Sequence, residues 1–253
     1  GKVTPDGRPL LWKNRDTDFM RNHVDYVKGE KYDFIAVVNS ANAYLKEAWM
    51  GTNSAGFALM NTQSYNLVDV KGDEERGAAN GRVIYRALEV CATVEDFCHF
   101  LDTISKPSDI EANFGVIDAQ GGAAMFEVDY YKYVMYDANN PKDAPYGYIA
   151  RTNFSFAGKV NEGAGYVRYM EADQVLMKAS ATGNITPQFI FNDLSRSFRN
   201  RMLDIDLRSG GYNRPQASGW FIDQDFIPRS STSCSVVVQG VKPGVKAELT
   251  TMW

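Results

Sequence analysis

The order of the apolar segments is the feature of this sequence that most limits how the chain can fold. Short apolar runs typical of strands come first, at 34–38 and 57–61, and two helical patterns follow at 82–91 and 93–104. A second strand-rich stretch, two more helical patterns and a late apolar run complete the chain. Because single strands and helices do not alternate, a doubly wound parallel sheet is not expected. The order predicts an α+β protein in which antiparallel sheets are layered against helices.

Turn and cap signals mark where these elements begin and end. Residues 4–7, with the sequence Thr-Pro-Asp-Gly, predict the turn of a β-hairpin whose second strand is 8–14. Thr93, with Asp96 three residues later, predicts the capping box of a helix. The other predicted strands are 43–50, 114–118, 123–128, 130–136, 148–153 and 235–239, the other predicted helices are 165–181 and 187–199, and the predicted turns and loops are 51–56 and 70–77.

Composition and charge exclude several classes of function. The net charge of -4 gives no electrostatic reason to expect a nucleic acid or an anionic lipid as partner. No run approaches the roughly 20 apolar residues that a membrane-spanning helix needs, so we expect no membrane insertion. The only histidines are His23 and His99, and Cys91, Cys98 and Cys234 lack C-x-x-C spacing. We therefore expect no metal site, no disulfide framework and no cofactor, and an enzyme with this composition would use a base other than histidine.

Polar side chains close several of the predicted strands. Asn14 with Asp16, then Asn61, then Arg151 with Asn153 stand at strand ends or at the entry to turns. Side-chain amides at such positions can donate hydrogen bonds to a developing oxyanion. Asparagine and aspartate there also commonly bond their own backbone as turn formers, and for any one of these residues alone that interpretation is the commoner.

Taken together, these residues resemble the motifs of a known family. Asp6-Gly7 followed by 13–16, Lys-Asn-Arg-Asp, is similar to the D-G…(R/K)-N-x-D signature of the choloylglycine hydrolase, penicillin V acylase and isopenicillin N acyltransferase-like group of N-terminal-nucleophile (Ntn) hydrolases. Three further segments resemble motifs of the group in the same order: 53–57 with Asn61, 151–154 (R-T-N-F), and the late strand 231–238. The resemblance extends from Asp6 to about Val238.

The resemblance implies a fold and a mechanism. The fold is a four-layer αββα sandwich of two antiparallel sheets between helical layers, and we expect residues 1–253 to form one such domain. The nucleophile of the family is an N-terminal cysteine uncovered by autoprocessing, and its own α-amino group acts as the base. Gly1 has no side chain, so the family's cysteine is expected a few residues upstream of Gly1. We therefore expect the sequence to be truncated at its start, and the end at Trp253 also comes early for the family.

The family's site residues carry over to five positions. Asp16 matches the aspartate that holds the α-amino group of the nucleophile, and Lys13 stands where bile-salt hydrolases have an arginine near the sulfur. Asn153 matches the oxyanion-hole amide, and Asn61 is the best match for the second contributor, through its backbone N–H or its side chain. Arg168 is matched to a later site arginine.

The function implied is hydrolysis of linear amides, in which a cysteine acyl-enzyme removes an acyl group from an amino compound. Two alternatives stay open: an acyltransferase that passes the acyl group to another amine, and an inactive relative that binds a small molecule. The expected partner is a small N-acylated substrate, and a homo-oligomer is not excluded. Relatives in the family carry leader peptides for export, which favours a periplasmic or extracellular location, and a cytoplasmic location is not excluded. Without its nucleophile, the 253-residue chain is expected to be inactive.

Cys234 and the tyrosine-rich segment 130–136 each allow two interpretations. Cys234 could be a reactive thiol or a buried residue of a strand, and the strand interpretation is the commoner. The tyrosines of segment 130–136 could line a pocket for an apolar acyl group, or they could alternate along a half-buried strand.

Overall fold

Two antiparallel sheets dominate the computed structural model, which describes residues 3–41, 43–68, 77–209 and 222–253. The strands are β1 (Leu10–Asp16), β2 (Asn22–Val27), β3 (Phe34–Asn39), β4 (Met50–Asn53), β5 (Ala58–Gln63), β6 (Ala112–Ile117), β7 (Ala123–Val128), β8 (Tyr133–Asp137), β9 (Arg199–Asn200), β10 (Ile205–Asp206), β11 (Thr232–Gln239) and β12 (Thr251–Met252). The large sheet contains β2 to β8 in sequence order, and the small sheet has the order β1, β11, β12. All the neighbouring pairs in both sheets are antiparallel.

Helices cover the outer face of each sheet. The helices are α1 (Asn80–Val90), α2 (Val94–Thr103), α3 (Tyr166–Ala181) and α4 (Pro187–Phe189), the last continued by a π-helical turn, Ile190–Leu194. The apolar faces of α1 and α2 pack on the large sheet through Leu88 and Phe97, and Leu176 of α3 packs on the small sheet with Leu194. None of the helices in the described ranges is long and apolar enough to cross a bilayer.

Alternation along β11 shows how the two sheets stack. Val236 and Val238 point into the core between the sheets, where they meet Leu11 and Met60. Val237, between them in sequence, points the other way into the core beneath α3. Successive side chains of a strand face opposite sides, so this strand is buried on both faces. The layer order is helix, sheet, sheet, helix, which confirms the predicted αββα sandwich.

The two predicted helices in the first half of the chain are confirmed, together with the cap between them. Thr93 Oγ1 accepts from the Asp96 backbone N–H at 3.0 Å, and the Asp96 carboxylate accepts from the Thr93 N–H at 3.1 Å. Reciprocal bonds of this kind satisfy two N–H groups that a helix start leaves unpaired. The cap therefore sets the start of α2 locally, as the sequence predicted.

The prediction of a strand over 43–50 followed by a turn over 51–56 was wrong in its bounds. Residues 43–45 form a 3₁₀ turn, and the strand that pairs with β3 is β4. Gly51 lies within that strand, where an added Cβ would be 2.7 Å from Ala36 Cβ and 2.8 Å from Leu88 Cδ1. The glycine is there because α1 lies very close to the sheet, and the turn begins only after Asn53.

Segment 148–153 is not a strand, although its composition predicted one. It has no ladder partner and is held by side chains instead, with Asn113 Nδ2 donating to the carbonyls of Thr152 and Phe154 at 3.1 Å each. The predicted helix 187–199 ends early, since the π-helical turn stops at Leu194 and the backbone turns into β9. Of the predicted loop 70–77, residues 70–76 lie outside the described residues.

Candidate functional site

A cavity of about 340 Å³ lies between β1, β5, α3 and the segments 149–153 and 227–229. Its wall includes every residue that the sequence singled out for the site: Lys13, Asp16, Asn61, Asn153 and Arg168. These residues come from elements in both sheets, from α3 and from a loop, so only the stacking of the layers brings them together.

Lys13 and Asn61 form a direct pair on this wall. Lys13 Nζ donates to Asn61 Oδ1 at 2.8 Å and to the Trp49 carbonyl at 3.1 Å. Burial of the amine, reinforced by the charge of Arg15, lowers the pKa of Lys13 to about 7, although Cys234 and Asp16 act in the opposite direction. The ammonium of Lys13 therefore titrates near neutral pH in the folded protein.

The Asp16 carboxylate is held by residues around the start of β11. Arg229 donates to Asp16 Oδ2 through Nη2 at 2.6 Å and through Nε at 2.9 Å. Thr232, the register partner of Asp16 across the β1–β11 pair, donates its hydroxyl to Asp16 Oδ1. A carboxylate has about four acceptor sites, so Oδ1 can still accept another donor. Sequence reasoning missed Arg229, whose only signal is its place just before the late strand motif.

Asn153 is held through both ends of its amide. Its Oδ1 accepts from Arg168 Nη2 at 2.9 Å, and its Nδ2 donates to the Gln63 carbonyl at 2.9 Å. Asn153 thus faces the cavity as expected, but it stands in an irregular segment rather than at a strand end. Nδ2 carries two N–H donors, and the second makes a longer contact to Thr62 Oγ1 at 3.4 Å, so donation to a reacting oxygen would replace that contact rather than the bond to Gln63.

Arg168 reaches Asn153 because the backbone before α3 leaves room for its guanidinium. Gly165 precedes the helix at φ +84°, and an added Cβ there would lie 2.7 Å from Arg168 Nη2. Arg168 Nε donates to the Gln224 carbonyl at 3.1 Å. Burial lowers the pKa of Arg168, and the neighbouring charge of Arg229 lowers it further.

Arg15 is a second cation that sequence reasoning did not assign to the site. It is only 4% exposed, donates to the side-chain oxygens of Asn39 at 2.7 Å and of Asn22, and lies 4.9 Å from the centre of the Trp49 ring. Burial lowers its pKa to about 10. The resemblance gave the position after Asn14 no role, so nothing in the motif pointed to it.

The remaining candidates lie around the cavity in structural contacts. Arg151 lines the wall, but its Nε is paired with the fully buried Glu127 at 2.6 Å and its guanidinium lies 3.9 Å from the centre of the Phe156 ring. Cys234 is half-buried on β11 opposite Arg15, and no cysteine is among the described residues that line the cavity. The tyrosines of 130–136 do not line it either, and Tyr133 packs against the outer core.

The wall combines apolar surface with an excess of positive charge. Besides the paired Arg151, its cations are Lys13, Arg15, Arg168 and Arg229, and its one carboxylate among the described residues is Asp16. Apolar side chains complete it, namely Trp12, Phe19, Trp49, Met60, Met125, Ile149, Leu176 and Ile227. Among the described residues, no group of three His, Cys, Asp or Glu side chains could hold a metal ion. The arrangement fits a small ligand with an apolar part and a negative charge.

An apolar groove continues from the cavity along the edge of β1. One edge of β1 pairs with β11, and in the described part of the chain no strand pairs with the other. The groove beside that edge has a volume of about 150 Å³ and is lined by Leu10, Gly115 and Tyr148, among others. Trp12 and Met125 line both spaces, so the groove leads into the cavity.

Comparison with known proteins gives one family match. A family model described as acyl-coenzyme A:6-aminopenicillanic acid acyl-transferase matches residues 3–194, a span that contains all five predicted site residues. No curated protein sequence matches the chain significantly.

Solved structures are similar at low sequence identity. The N-acylethanolamine-hydrolyzing acid amidase ortholog of Caenorhabditis elegans aligns with a TM-score of 0.50 and 14% identity, over 76% of this chain and 86% of that one. Penicillin V acylase from Agrobacterium tumefaciens aligns with a TM-score of 0.47 and 18% identity, over 94% and 78% of the two chains. A mutant of conjugated bile acid hydrolase from Clostridium perfringens aligns with a TM-score of 0.48 and 14% identity, over 97% of this chain and 84% of that one. At such identities the likeness concerns the fold alone.

Proposed function

Because this chain belongs to the acyl-coenzyme A:6-aminopenicillanic acid acyl-transferase family, we propose that it cleaves a linear amide by transferring the acyl group to a cysteine and then to water. The observation that carries the proposal is the convergence of Lys13, Asp16, Asn61, Asn153 and Arg168 on one cavity. Amide donors, a carboxylate and cations around an apolar space are the groups that acyl transfer through a tetrahedral intermediate requires.

The nucleophile we propose is a cysteine upstream of Gly1, carried on a strand that pairs with the open edge of β1. The turn at 4–7 is closed by a bond from the Gly7 N–H to the Thr4 carbonyl at 3.1 Å, so a preceding strand would run antiparallel to β1 along the apolar groove. In the strand we propose, the same register would bring a residue about four positions upstream of Gly1 opposite Asn14. Asn14 Oδ1 is buried and has no hydrogen-bond partner among the described residues, so an N–H donor there would satisfy it.

We propose the following steps for the reaction. The cysteine sulfur attacks the amide carbonyl carbon, and its proton moves to the α-amino group, which Asp16 holds. The amides of Asn61 and Asn153 stabilise the oxyanion. The α-ammonium gives the proton to the leaving nitrogen as the C–N bond breaks, which leaves a thioester. Water, deprotonated by the α-amino group, then attacks the thioester, the C–S bond breaks, and the acid and the thiol are released.

Two alternatives share this site. An acyltransferase would use an amine in place of water in the second half of the reaction, and the acyl transfer in the family's description favours it as the runner-up. A small-molecule-binding relative would keep the cavity and lack the nucleophile. The substrate we propose in either enzymatic case is a small N-acylated compound.

The test compares the full-length gene product, starting at its processed N-terminus, with the 253-residue chain. We expect the full-length protein to release acid from N-acyl amino acids, and we expect its activity to be lost when the cysteine is replaced by alanine or its α-amino group is blocked. We expect the 253-residue chain to be inactive, because one missing residue removes both the sulfur and the base. Turnover by the 253-residue chain would refute the mechanism. Formation of a new amide on an added acceptor amine, in place of free acid, would favour the acyltransferase.

A further inference from the structure

Two asparagines on the cavity wall are held in the same way, each with a cation on its carbonyl oxygen. Lys13 Nζ lies 2.8 Å from Asn61 Oδ1, and Arg168 Nη2 lies 2.9 Å from Asn153 Oδ1. The oxygen and nitrogen of an amide leave the same carbon in different directions, so a cation fixed on Oδ1 also fixes where Nδ2 points. Each amide is therefore held in one of its two flip orientations.

The nitrogen ends of these two amides differ. Asn153 Nδ2 donates to the Gln63 carbonyl at 2.9 Å, whereas Asn61 Nδ2 has no hydrogen-bond partner among the described residues. Asn61 is nonetheless only 4% exposed, and it lines the cavity. Asn61 Nδ2 is not among the fully buried unpaired polar atoms of the described residues, so it is accessible from the cavity and can donate to a ligand oxygen there.

We propose that Lys13 is a positioning residue, which holds the Asn61 amide with its Nδ2 toward the cavity and strengthens that N–H as a donor to the oxygen of the acyl group. The inference rests on the proposed function and goes beyond it, because Lys13 then acts through Asn61 rather than directly on the sulfur. A positive charge on the carbonyl oxygen polarises the amide, and hydrogen bonds that involve a charged group are roughly twice as strong as neutral ones.

The surroundings of Lys13 make this action dependent on pH. Its amine is anchored by a second bond to the Trp49 carbonyl, so it cannot swing away from Asn61 freely. Burial and the Arg15 charge lower the pKa of Lys13 to about 7. Cys234 on β11 and Asp16 on the same strand act to raise it. The other charged groups on the cavity wall are Arg151, Arg168 and Arg229.

The positioning can be measured without turnover, on the 253-residue chain itself. We propose ¹⁵N-asparagine labelling, with Asn61→Leu used to assign the side-chain amide signals of Asn61. We expect these signals to shift with pH with a midpoint near 7, to lose that shift in Lys13→Met, and to show no midpoint in Lys13→Arg, which stays charged. Asn61 signals that depend neither on pH nor on Lys13→Met would overturn the proposal.

The second test is a double-mutant cycle in the full-length enzyme. We expect Lys13→Met and Asn61→Ala each to lower kcat about tenfold or more with little change in KM, and the double variant to be no worse than Asn61→Ala within about twofold. Losses that multiply would mean that Lys13 works independently of Asn61, which contradicts the proposal. Lys142→Met, at an exposed loop position, is the matched control and should leave kcat unchanged. A full-length wild type without amidase activity would count against the proposed function, and the NMR result would still decide the positioning.

Discussion

Burial shifts the pKa values of two cationic residues in the cavity, and the shift decides which of them can titrate near neutral pH. Lys13 and Arg15 stand two positions apart on β1, and both point toward the Trp49 ring, at 5.9 and 4.9 Å from its centre. Desolvation lowers the pKa of both, but lysine starts from a lower value and so titrates near neutrality, while arginine stays charged. A lysine at this position therefore gives the site a group that responds to pH, which an arginine would not.

The buried Lys13 amine should be visible in the pH dependence of stability. Its folded pKa of about 7 lies below the ordinary 10.5, so between these values the unfolded chain holds a proton that the folded chain has lost. The unfolding free energy therefore rises with pH across this window. We expect the difference between wild type and Lys13→Met to change in favour of the wild type by about 2–4 kcal/mol from pH 6 to pH 10. Urea titrations of both proteins at each pH measure it, and a constant difference would contradict a buried ammonium.

Helix α1 packs so closely on the large sheet that the strand beneath it has room only for a glycine, Gly51. Leu88 of α1 lies against β4, and Gly51 is the residue beneath it. A side chain there would meet the Ile35 carbonyl oxygen at 2.5 Å as well as Leu88. The Ile35 oxygen belongs to β3 and cannot move away without disturbing the β3–β4 ladder, so position 51 needs glycine because of β3 as well as α1.

Gly51→Ala should therefore destabilise the fold by about 2 kcal/mol or more through overpacking. Gly183→Ala is the control, since its φ is +61° but an added Cβ meets nothing within 4 Å, and it should cost only about 1 kcal/mol. Chemical denaturation of both variants gives the comparison. A loss at Gly51 no larger than the loss at Gly183 would contradict the tight contacts of Gly51, because Gly51 lies in a strand and has no left-handed φ.

At the scale of the whole molecule, the stacking of four layers brings positive charges together at the cavity, which the net charge of the chain does not indicate. The chain has a net charge of -4, yet the cavity wall carries several cations and one carboxylate among the described residues. The cations come from β1, α3 and the segment before β11, which are distant in sequence. Low-dielectric walls focus such charge, so the site should attract anions although the protein as a whole is acidic.

We therefore expect the full-length enzyme to prefer substrates whose leaving amine carries a carboxylate. With one acyl chain held constant, kcat/KM for an N-acyl amino acid should exceed that for the matching N-acyl amino alcohol by about tenfold at low salt. Screening should reduce the preference at 1 M salt, where charges interact over only about 3 Å. The amino alcohol is the matched control, because it keeps the acyl group and the amide. Equal kcat/KM values for the two would contradict the role assigned to the cavity charge.

The sequence by itself determined the local and serial features of this protein. Apolar periodicity placed α1, α2, α3 and most of the strands, and the Thr93–Asp96 cap needed only residues three positions apart. The element order predicted an α+β protein with antiparallel sheets layered against helices, and the αββα arrangement was implied by the family resemblance. The family resemblance also pointed to five residues that line one cavity: Lys13, Asp16, Asn61 and Asn153 through the quoted motifs, and Arg168 through its match to a later site arginine.

The tertiary structure decided what depends on contacts between distant segments. Segment 148–153 has the composition of a strand but is held by Asn113 from β6, so no ladder forms. Gly51 resembled a turn residue until α1 was packed on it. Arg229 meets Asp16 only because β1 and β11 pair in the small sheet, and the pKa of Lys13 depends on what buries it. Pairing, desolvation and close approach are properties of neighbours in space, and the local sequence does not specify those neighbours.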